Sequence, residues 1–272
     1  MSERRTRPRR RRAVSGLAAL VAVATLATAG VSPADSAPAP ARSRTEAGAA
    51  QPVTRTDGVE GRMDTTAPSA ARAHVWDLQV VGNRIYIAGK FRRVVEAGGS
   101  WPRRAQPFLA AFDTVTGDWV SSWRPVLDRP AYTLTVLPSG SILAGGEFTR
   151  VNGRDAQGLV ALDPVTGATD LRFRGQVGRP GGSEPAVVRD LEVRGSRVYA
   201  AGQFSRARGP GGTLFPVTKA VRFAVTDGAP DPGWRPRVAG RSVWAVAVST
   251  DGRRVHLGGE FTRVGNGGGT SQ

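Results

Sequence analysis

Four short apolar runs recur along the chain, each with apolar residues alternating with other residue types. They occupy residues 75–80, 131–136, 188–193 and 243–248. Alternation of this kind is the period of a β-strand. A turn that contains glycine follows each run, and a second apolar segment follows each turn. The pattern therefore predicts a β-hairpin in each of the four copies.

Each second strand leads into the same motif, which is a small residue, a glycine, a variable residue and a phenylalanine. We call this motif the signature. The copies are AGKFRRV at 88–94, GGEFTRV at 145–151, AGQFSRA at 201–207 and GGEFTRV at 258–264. Their phenylalanines are 57, 56 and 57 residues apart, near the length of one propeller blade. Glycine inside a strand indicates a bulge or the close approach of another backbone. We expect each phenylalanine to pack onto the neighbouring blade, over the gap that the small residues leave.

A third and a fourth strand are predicted in the second half of the repeat. Apolar segments at 107–113, 158–163 and 219–224 lead into turns with Asp and Gly, which are typical of hairpins capped by a side chain. An aromatic residue closes each copy, at Trp123, Phe173 and Trp234. We predict that these aromatics anchor the core. Four strands per repeat make one antiparallel sheet, and such sheets stack radially in a propeller.

The order of these motifs resembles the delta-60 repeat β-propeller family of secreted bacterial proteins. The shared pattern is a Gly-Gly-x-Phe hairpin, an apolar strand ending in Asp, a glycine turn and Asp-x-x-(Phe/Trp). Residues 170–173 and 231–234 carry the last motif, whereas Val120 stands in place of its Asp in the first copy. The resemblance covers residues 74–264. It implies a propeller fold and an extracellular location, and it implies no known activity.

We therefore expect an all-β fold, in the form of a β-propeller-type array of four-stranded antiparallel blades. The predicted blades span residues 73–130, 131–186 and 187–241, with a partial blade at 242–272. The fourth copy stops after its first hairpin, which gives three full blades and one half blade. Either the chain is a piece of a longer protein, or the segment near residues 50–70 completes the last blade. We favour the first explanation, because an open apolar strand edge is rarely left exposed.

Residues 1–34 have the pattern of a secretory signal peptide. A cationic segment, residues 1–12, precedes a nearly uncharged run at 13–31, and cleavage is predicted near Ala29 or Ala34. The general secretory and twin-arginine routes both remain open. An uncleaved membrane anchor is the alternative, but the run is weakly apolar for a permanent span. Residues 35–72 are predicted as a disordered linker, and the mature protein as secreted or at the cell surface without membrane association.

The formal net charge of +16 has two sources. The first twelve residues hold seven arginines and one glutamate, and the chain from residue 38 onward holds 31 basic and 20 acidic residues. The arginines are scattered over the repeats without an aromatic-basic cluster, so we do not expect nucleic acid as a partner. The chain has no cysteine, which excludes disulfides and thiolate metal sites.

Two carboxylates and one repeated arginine are the main candidates for chemistry. Asp77 and Asp190 occupy equivalent positions on the first strand of their repeats, where carboxylates near a propeller axis could form a glycosidase pair or hold a cation. An arginine follows each signature phenylalanine by two residues, at Arg93, Arg150, Arg206 and Arg263. These arginines are either a ring for an acidic ligand or framework residues that bind loop carbonyls. We favour the framework interpretation, because framework residues recur once per repeat.

The two histidines offer no metal spacing. His74 is predicted just before the first strand, and His256 stands where the other copies have Tyr86, Leu143 and Tyr199. A position that accepts those residues is predicted to be half-buried packing. No catalytic, cofactor-binding or metal-binding residue is predicted, and no cofactor is expected.

Two functions follow from the sequence. The preferred one is an exported, non-enzymatic binding or scaffold module, part of a longer protein, whose loops contact a protein or a polysaccharide. Loop residues Trp101, Arg103 and Arg104 are candidates for that contact. The alternative is a secreted carbohydrate-active hydrolase or lyase that uses the axial carboxylates.

Overall fold

A computed structural model describes residues 73–94, 104–179 and 184–265, and eighteen β-strands and no helix occur in these residues. The all-β class is therefore confirmed. The predicted signal peptide, linker and final residues 266–272 lie outside the described residues. No described segment forms a helix with the length and apolar character needed to cross a membrane.

In chain order the strands are β1 (His74–Val81), β2 (Arg84–Lys90), β3 (Arg93–Val94), β4 (Arg104–Ala105), β5 (Leu109–Asp113), β6 (Ala131–Val136), β7 (Ile142–Gly146), β8 (Arg150–Val151), β9 (Arg154–Asp155), β10 (Leu159–Leu162), β11 (Gln176–Gly178), β12 (Val187–Arg194), β13 (Arg197–Gln203), β14 (Arg206–Arg208), β15 (Phe215–Pro216), β16 (Ala220–Ala224), β17 (Arg237–Val248) and β18 (Val255–Gly265).

The first three repeats each form a three-stranded antiparallel sheet with the second strand at its centre. The strand orders are β1-β2-β5, β6-β7-β10 and β12-β13-β16, and we call these the first, second and third sheets. The fourth repeat forms the hairpin β17-β18, as its sequence predicts. There are also three smaller ladders, β3-β4, β8-β9 and β11-β14-β15, and each includes a short strand that begins two residues after a signature phenylalanine. His74, expected just before the first strand, is the first residue of β1.

The fourth strand expected in each repeat is a single bridge pair. The pairs are Phe112–Trp119, Leu162–Thr169 and Phe223–Pro230. The chain bends away directly after each pair. In two copies the cause is an aspartate turn, in which Asp170 accepts the Arg172 amide at 3.0 Å and Asp231 accepts the Gly233 amide at 2.8 Å. A segment folded around its own carboxylate cannot extend along the sheet.

The signature glycine lies opposite a β-bulge in all four copies. In the first sheet Val75 pairs with Gly89 and Asp77 pairs with Ala88, so Trp76 is the extra residue of β1. We call the first strand of each repeat (β1, β6, β12 and β17) its inner strand. The same shift recurs in the other copies, at residues 131–133, 188–190 and 243–245. A Cβ on Gly89 would overlap the His74 carbonyl, and one on Gly202 would overlap the Val187 carbonyl. The predicted bulge and close approach are both confirmed.

Three apolar clusters join successive sheets. One spans the first and second sheets, another spans the second and third, and a smaller one joins the third sheet to the hairpin β17-β18. Trp123 and Phe173 are buried within the first two clusters, and Trp234 packs at the edge of the third cluster. The prediction that these aromatics anchor the core is confirmed.

The space beside the small residue of the signature is filled differently from the sequence expectation. A Cβ on Gly145 would lie 2.7 Å from Val188 Cγ1 and 3.2 Å from Leu191 Cδ1, which belong to the inner strand of the next sheet. Phe148 is buried in the cluster that spans the first and second sheets, and its Cδ1 atom lies 2.9 Å from the position of a Gly146 Cβ. Inner-strand residues, not the phenylalanine, therefore fill this gap between neighbouring sheets.

We expect Gly202→Ala to destabilise the protein by about 2 kcal/mol or more, because the added methyl would force the two strands apart at the bulge. Gly211→Ala is the matched control, since no atom lies within 4 Å of its added Cβ. Urea unfolding of both variants measures the difference. Equal midpoints would show that the close approach at Gly202 is not a constraint on the fold.

Asp170 predicts a pH-dependent contribution to stability. Hydrogen bonds from the Arg172 guanidinium hold the pKa of Asp170 well below its usual value of 3.8. Partial burial opposes this lowering, and a hydrogen bond from the Ser141 hydroxyl adds to it. A depressed native pKa stabilises the fold at pH values above the unfolded-state pKa, and this stabilisation is lost progressively as the pH falls from the unfolded-state pKa through the lower native pKa. Asp170→Asn should therefore cost about 1–2 kcal/mol at pH 7, and the difference in unfolding free energy from wild type should narrow steadily as the pH falls below about 4. The exposed Asp118→Asn is the control in the same denaturant series; a gap independent of pH would contradict the assignment.

Candidate functional site

The bulged residues of the four inner strands form a distinctive arrangement of side chains among the described residues. Trp76, Tyr132, Arg189 and Trp244 hold this equivalent position, and we call them the bulge row. A bulge turns its extra residue away from the regular alternation of the strand. The row therefore presents large side chains that the strand pattern alone does not place.

Three members of the bulge row lie one against the next, with the Trp76 and Tyr132 ring planes tilted by 31°, and we call this chain of contacts the stack. The rings of Trp76 and Tyr132 have centroids 4.5 Å apart, and the Arg189 guanidinium carbon lies 4.6 Å from the Tyr132 ring centroid. His74 extends the stack, with its ring 6.0 Å from Trp76 and nearly parallel to it. Stacking and cation–π contacts thus link the first three sheets through side chains.

The electrostatics of the stack centre on Tyr132. Burial of its hydroxyl, followed by the negative charge of Glu147, raises the pKa of Tyr132 to about 12. The phenol therefore stays neutral and polar over the physiological range. Trp76 and Trp244 remain 41% and 57% exposed, unlike the buried Trp123. The row combines open aromatic surface with a cation and hydrogen-bonding groups.

Asp77 and Asp190 lie directly after the bulge and bind backbone amides. Asp77 accepts its neighbour Leu78 N at 2.7 Å and, across to the second sheet, Leu134 N at 2.6 Å. Asp190 repeats the arrangement with Leu191 N at 2.9 Å and Val246 N at 2.7 Å. Each carboxylate therefore holds its own bulge with one oxygen and the next inner strand with the other.

The environment of Asp77 also affects its proton. Burial is the largest influence and raises the pKa of Asp77 above its usual value, and the negative charge of Asp190 acts in the same direction. The amides of Leu134 and Leu78 oppose this rise. Thr133 and Ala245 take the equivalent position in the other two copies, so these carboxylate links alternate along the array.

The repeated arginines lie on the outside of the protein. Arg93, Arg150, Arg206 and Arg263 are all exposed. Arg150 donates from Nη2 to the Gly153 carbonyl at 3.0 Å, within its own hairpin. The framework interpretation is confirmed for this arginine.

The predicted half-buried packing of His256 is wrong. Its counterparts Tyr86, Leu143 and Tyr199 are buried, but His256 is exposed, because it lies on the last described hairpin and no described sheet packs on that face. Across the described ranges, no three His, Asp or Glu side chains are grouped to hold a metal ion. Of the predicted loop contacts, Arg104 is exposed in β4, whereas Trp101 and Arg103 lie outside the described residues.

Sequence reasoning identified none of the four bulge-row residues as members of a site. A signal was present, because the residue before the Asp77 position is aromatic or arginine in all four copies. The differing residue types hid their equivalence. The bulge became visible only when the strand register placed each of them opposite the small-Gly pair.

The chain matches no protein-family model and no curated protein. Its function is therefore inferred from the geometry of the bulge row and of the carboxylates beside it.

We expect Asp190→Ala to destabilise the protein by about 1–3 kcal/mol, because two amides in partly buried positions lose their acceptor. Glu192→Ala, two residues along the same strand, is the control and should change stability by less than about 0.5 kcal/mol. Denaturant unfolding followed by tryptophan fluorescence measures both. Equal effects of the two substitutions would argue against the link between β12 and β17.

Proposed function

We propose that the protein is an exported, non-enzymatic binding module built as a β-propeller-type array. The repeat of hairpins and the packing of each sheet on the next support this arrangement. The signal-like pattern of residues 1–34 supports export to the cell surface or medium. As a repeat array, it offers an extended surface to a partner, with loops at one end of the sheets.

The bulge row is the observation on which the proposed binding role depends. Exposed indole rings stack on the apolar faces of sugars, and the exposed Arg189 guanidinium is a donor suited to hydroxyl or carboxylate groups, which supports the proposal. A row of this kind extends along several strands and suits a chain-like ligand. Of the two partner classes, protein and polysaccharide, these features favour a polysaccharide.

A secreted carbohydrate-active hydrolase or lyase is the second candidate. The raised pKa of Asp77 and the nearby charge of Asp190 are features of a general acid beside a second carboxylate. Against it, the oxygens of both residues accept backbone amides that hold the inner strands together. A carboxylate engaged in this way is held back from a substrate, so we prefer the binding role.

Retention on insoluble polysaccharides tests the proposal. The secreted protein is incubated with cellulose, chitin, xylan and purified bacterial cell wall, and the bound fraction is measured. Trp76→Ala and Trp244→Ala should each weaken retention about five- to tenfold, since an aromatic stacking contact contributes on the order of 1 kcal/mol. Trp76→Phe keeps an aromatic face and should retain most of the binding. Leu171→Ala, also exposed but outside the row, should leave binding unchanged.

Two results would overturn the proposal. Retention that is equal in wild type and in the double Trp76→Ala, Trp244→Ala variant would remove the bulge row as the binding surface. Release of soluble sugars from any of these substrates, abolished by Asp77→Asn and Asp190→Asn, would establish the hydrolase or lyase instead.

A further inference from the structure

The first sheet has an apolar face whose counterparts are buried in every other repeat. Val75 is 50% exposed and Leu78 is 56% exposed. At the position of Leu78, Leu134, Leu191 and Val246 are 2%, 7% and 5% exposed, because each packs on the preceding sheet. The sequence pattern of this strand is thus that of a covered strand, and no described residue covers it.

The last hairpin also has an uncovered face, and it is the face that packs against the next sheet in the other repeats. Gly258 and His256 are exposed, whereas their counterparts Ala88 and Tyr86 are buried against the next sheet. The described residues therefore leave two surfaces uncovered, which we call the Leu78 face, on the first sheet, and the Gly258 face, on the hairpin β17-β18.

The contact between the second and third sheets shows how two such surfaces fit. Val188 and Leu191 close on Gly145, at 2.7 Å and 3.2 Å from the position of its missing Cβ. The bulge at Arg189 brings these two residues, three apart in sequence, to the same side of the strand. Val75 and Leu78 are the counterparts of Val188 and Leu191, and Gly258 is the counterpart of Gly145.

The repeats alternate between two types, and the open ends belong to opposite types. The first and third carry an aspartate after the bulge and Ala before the signature glycine, at Asp77, Asp190, Ala88 and Ala201. The second and fourth carry neither, and they share the identical heptapeptide GGEFTRV at 145–151 and 258–264. A sheet of the first type packs on Gly145 of the second type within the chain. The Leu78 face and the Gly258 face would form the same combination.

We propose that the Leu78 face of one copy of this chain docks onto the Gly258 face of a second copy, head to tail. A second copy is the occupant we select because it carries both complementary faces, and the docked contact continues the sheet-on-sheet packing already present inside each chain. Two copies joined at both ends make a closed ring of eight β-units, four from each chain, within the usual range of propellers.

The oligomeric state of the full chain tests this contact. Wild type should have twice the chain mass in sedimentation velocity and light scattering. Leu78→Glu places a charge on one face, and Gly258→Val fills the recess on the other, and each should reduce the mass to that of one chain. The added Cβ at Gly258 meets only Ala245 Cβ at 3.7 Å, so the hairpin itself accepts the valine. Leu171→Glu, an exposed site on neither face, is the control and should remain dimeric.

Mixing the two monomeric variants makes the test specific for a head-to-tail contact. The Leu78→Glu chain keeps its Gly258 face and the Gly258→Val chain keeps its Leu78 face, so the mixture should recover a species of twice the chain mass. Circular dichroism of each variant checks that the β-fold is retained. A wild type with the mass of one chain overturns the proposal. That mass is the result expected if the segment at 35–72, or further repeats of a longer chain, cover the Leu78 face. A dimer that Leu78→Glu abolishes and Gly258→Val leaves intact, with no recovery on mixing, would show a face-to-face contact and would also overturn it.

Discussion

The close approach between the signature glycine and the bulged inner strand determines most of this structure. Gly89 and Gly202 pass so near a carbonyl of the inner strand that a methyl group cannot fit. The bulge opposite them sets which inner-strand residues point toward the neighbouring sheet. Val188 and Leu191 both reach Gly145 because the bulge places one extra residue, Arg189, in the strand between them. Backbone geometry inside each sheet thus prepares the packing between sheets.

The bulge also gives the candidate site its position. The extra residue leaves the strand alternation, and the same side chain in each repeat becomes available for contacts outside the core. Trp76, Tyr132 and Arg189 use this freedom to stack on one another, while the following Asp77 and Asp190 hold the inner strands of adjacent sheets. The residues that link the sheets and the residues of the candidate site are therefore neighbours on one strand. The carboxylates maintain the spacing on which the stacked row depends.

Local pattern and period were enough to predict the hairpins, the buried Trp123 and the bulge at the signature glycine, since each depends on residues close in sequence or on a fixed repeat. The fourth strands were overestimated, because Asp170 and Asp231 bend the chain through hydrogen bonds that an apolar pattern does not report. The role of Asp77 depends on an amide 57 residues away, which no local signal contains. His256 was misjudged because its burial depends on whether another sheet follows, a property of the array rather than of the strand.

The alternation of repeat types has a consequence for how such an array changes in length. The two identical heptapeptides at 145–151 and 258–264 lie 113 residues apart, at the same point of two repeats of one type. Recombination between the corresponding gene segments would remove or insert a pair of repeats as a unit. The number of sheets would change in steps of two, and each aspartate-bearing strand would still meet a neighbour with the matching recess.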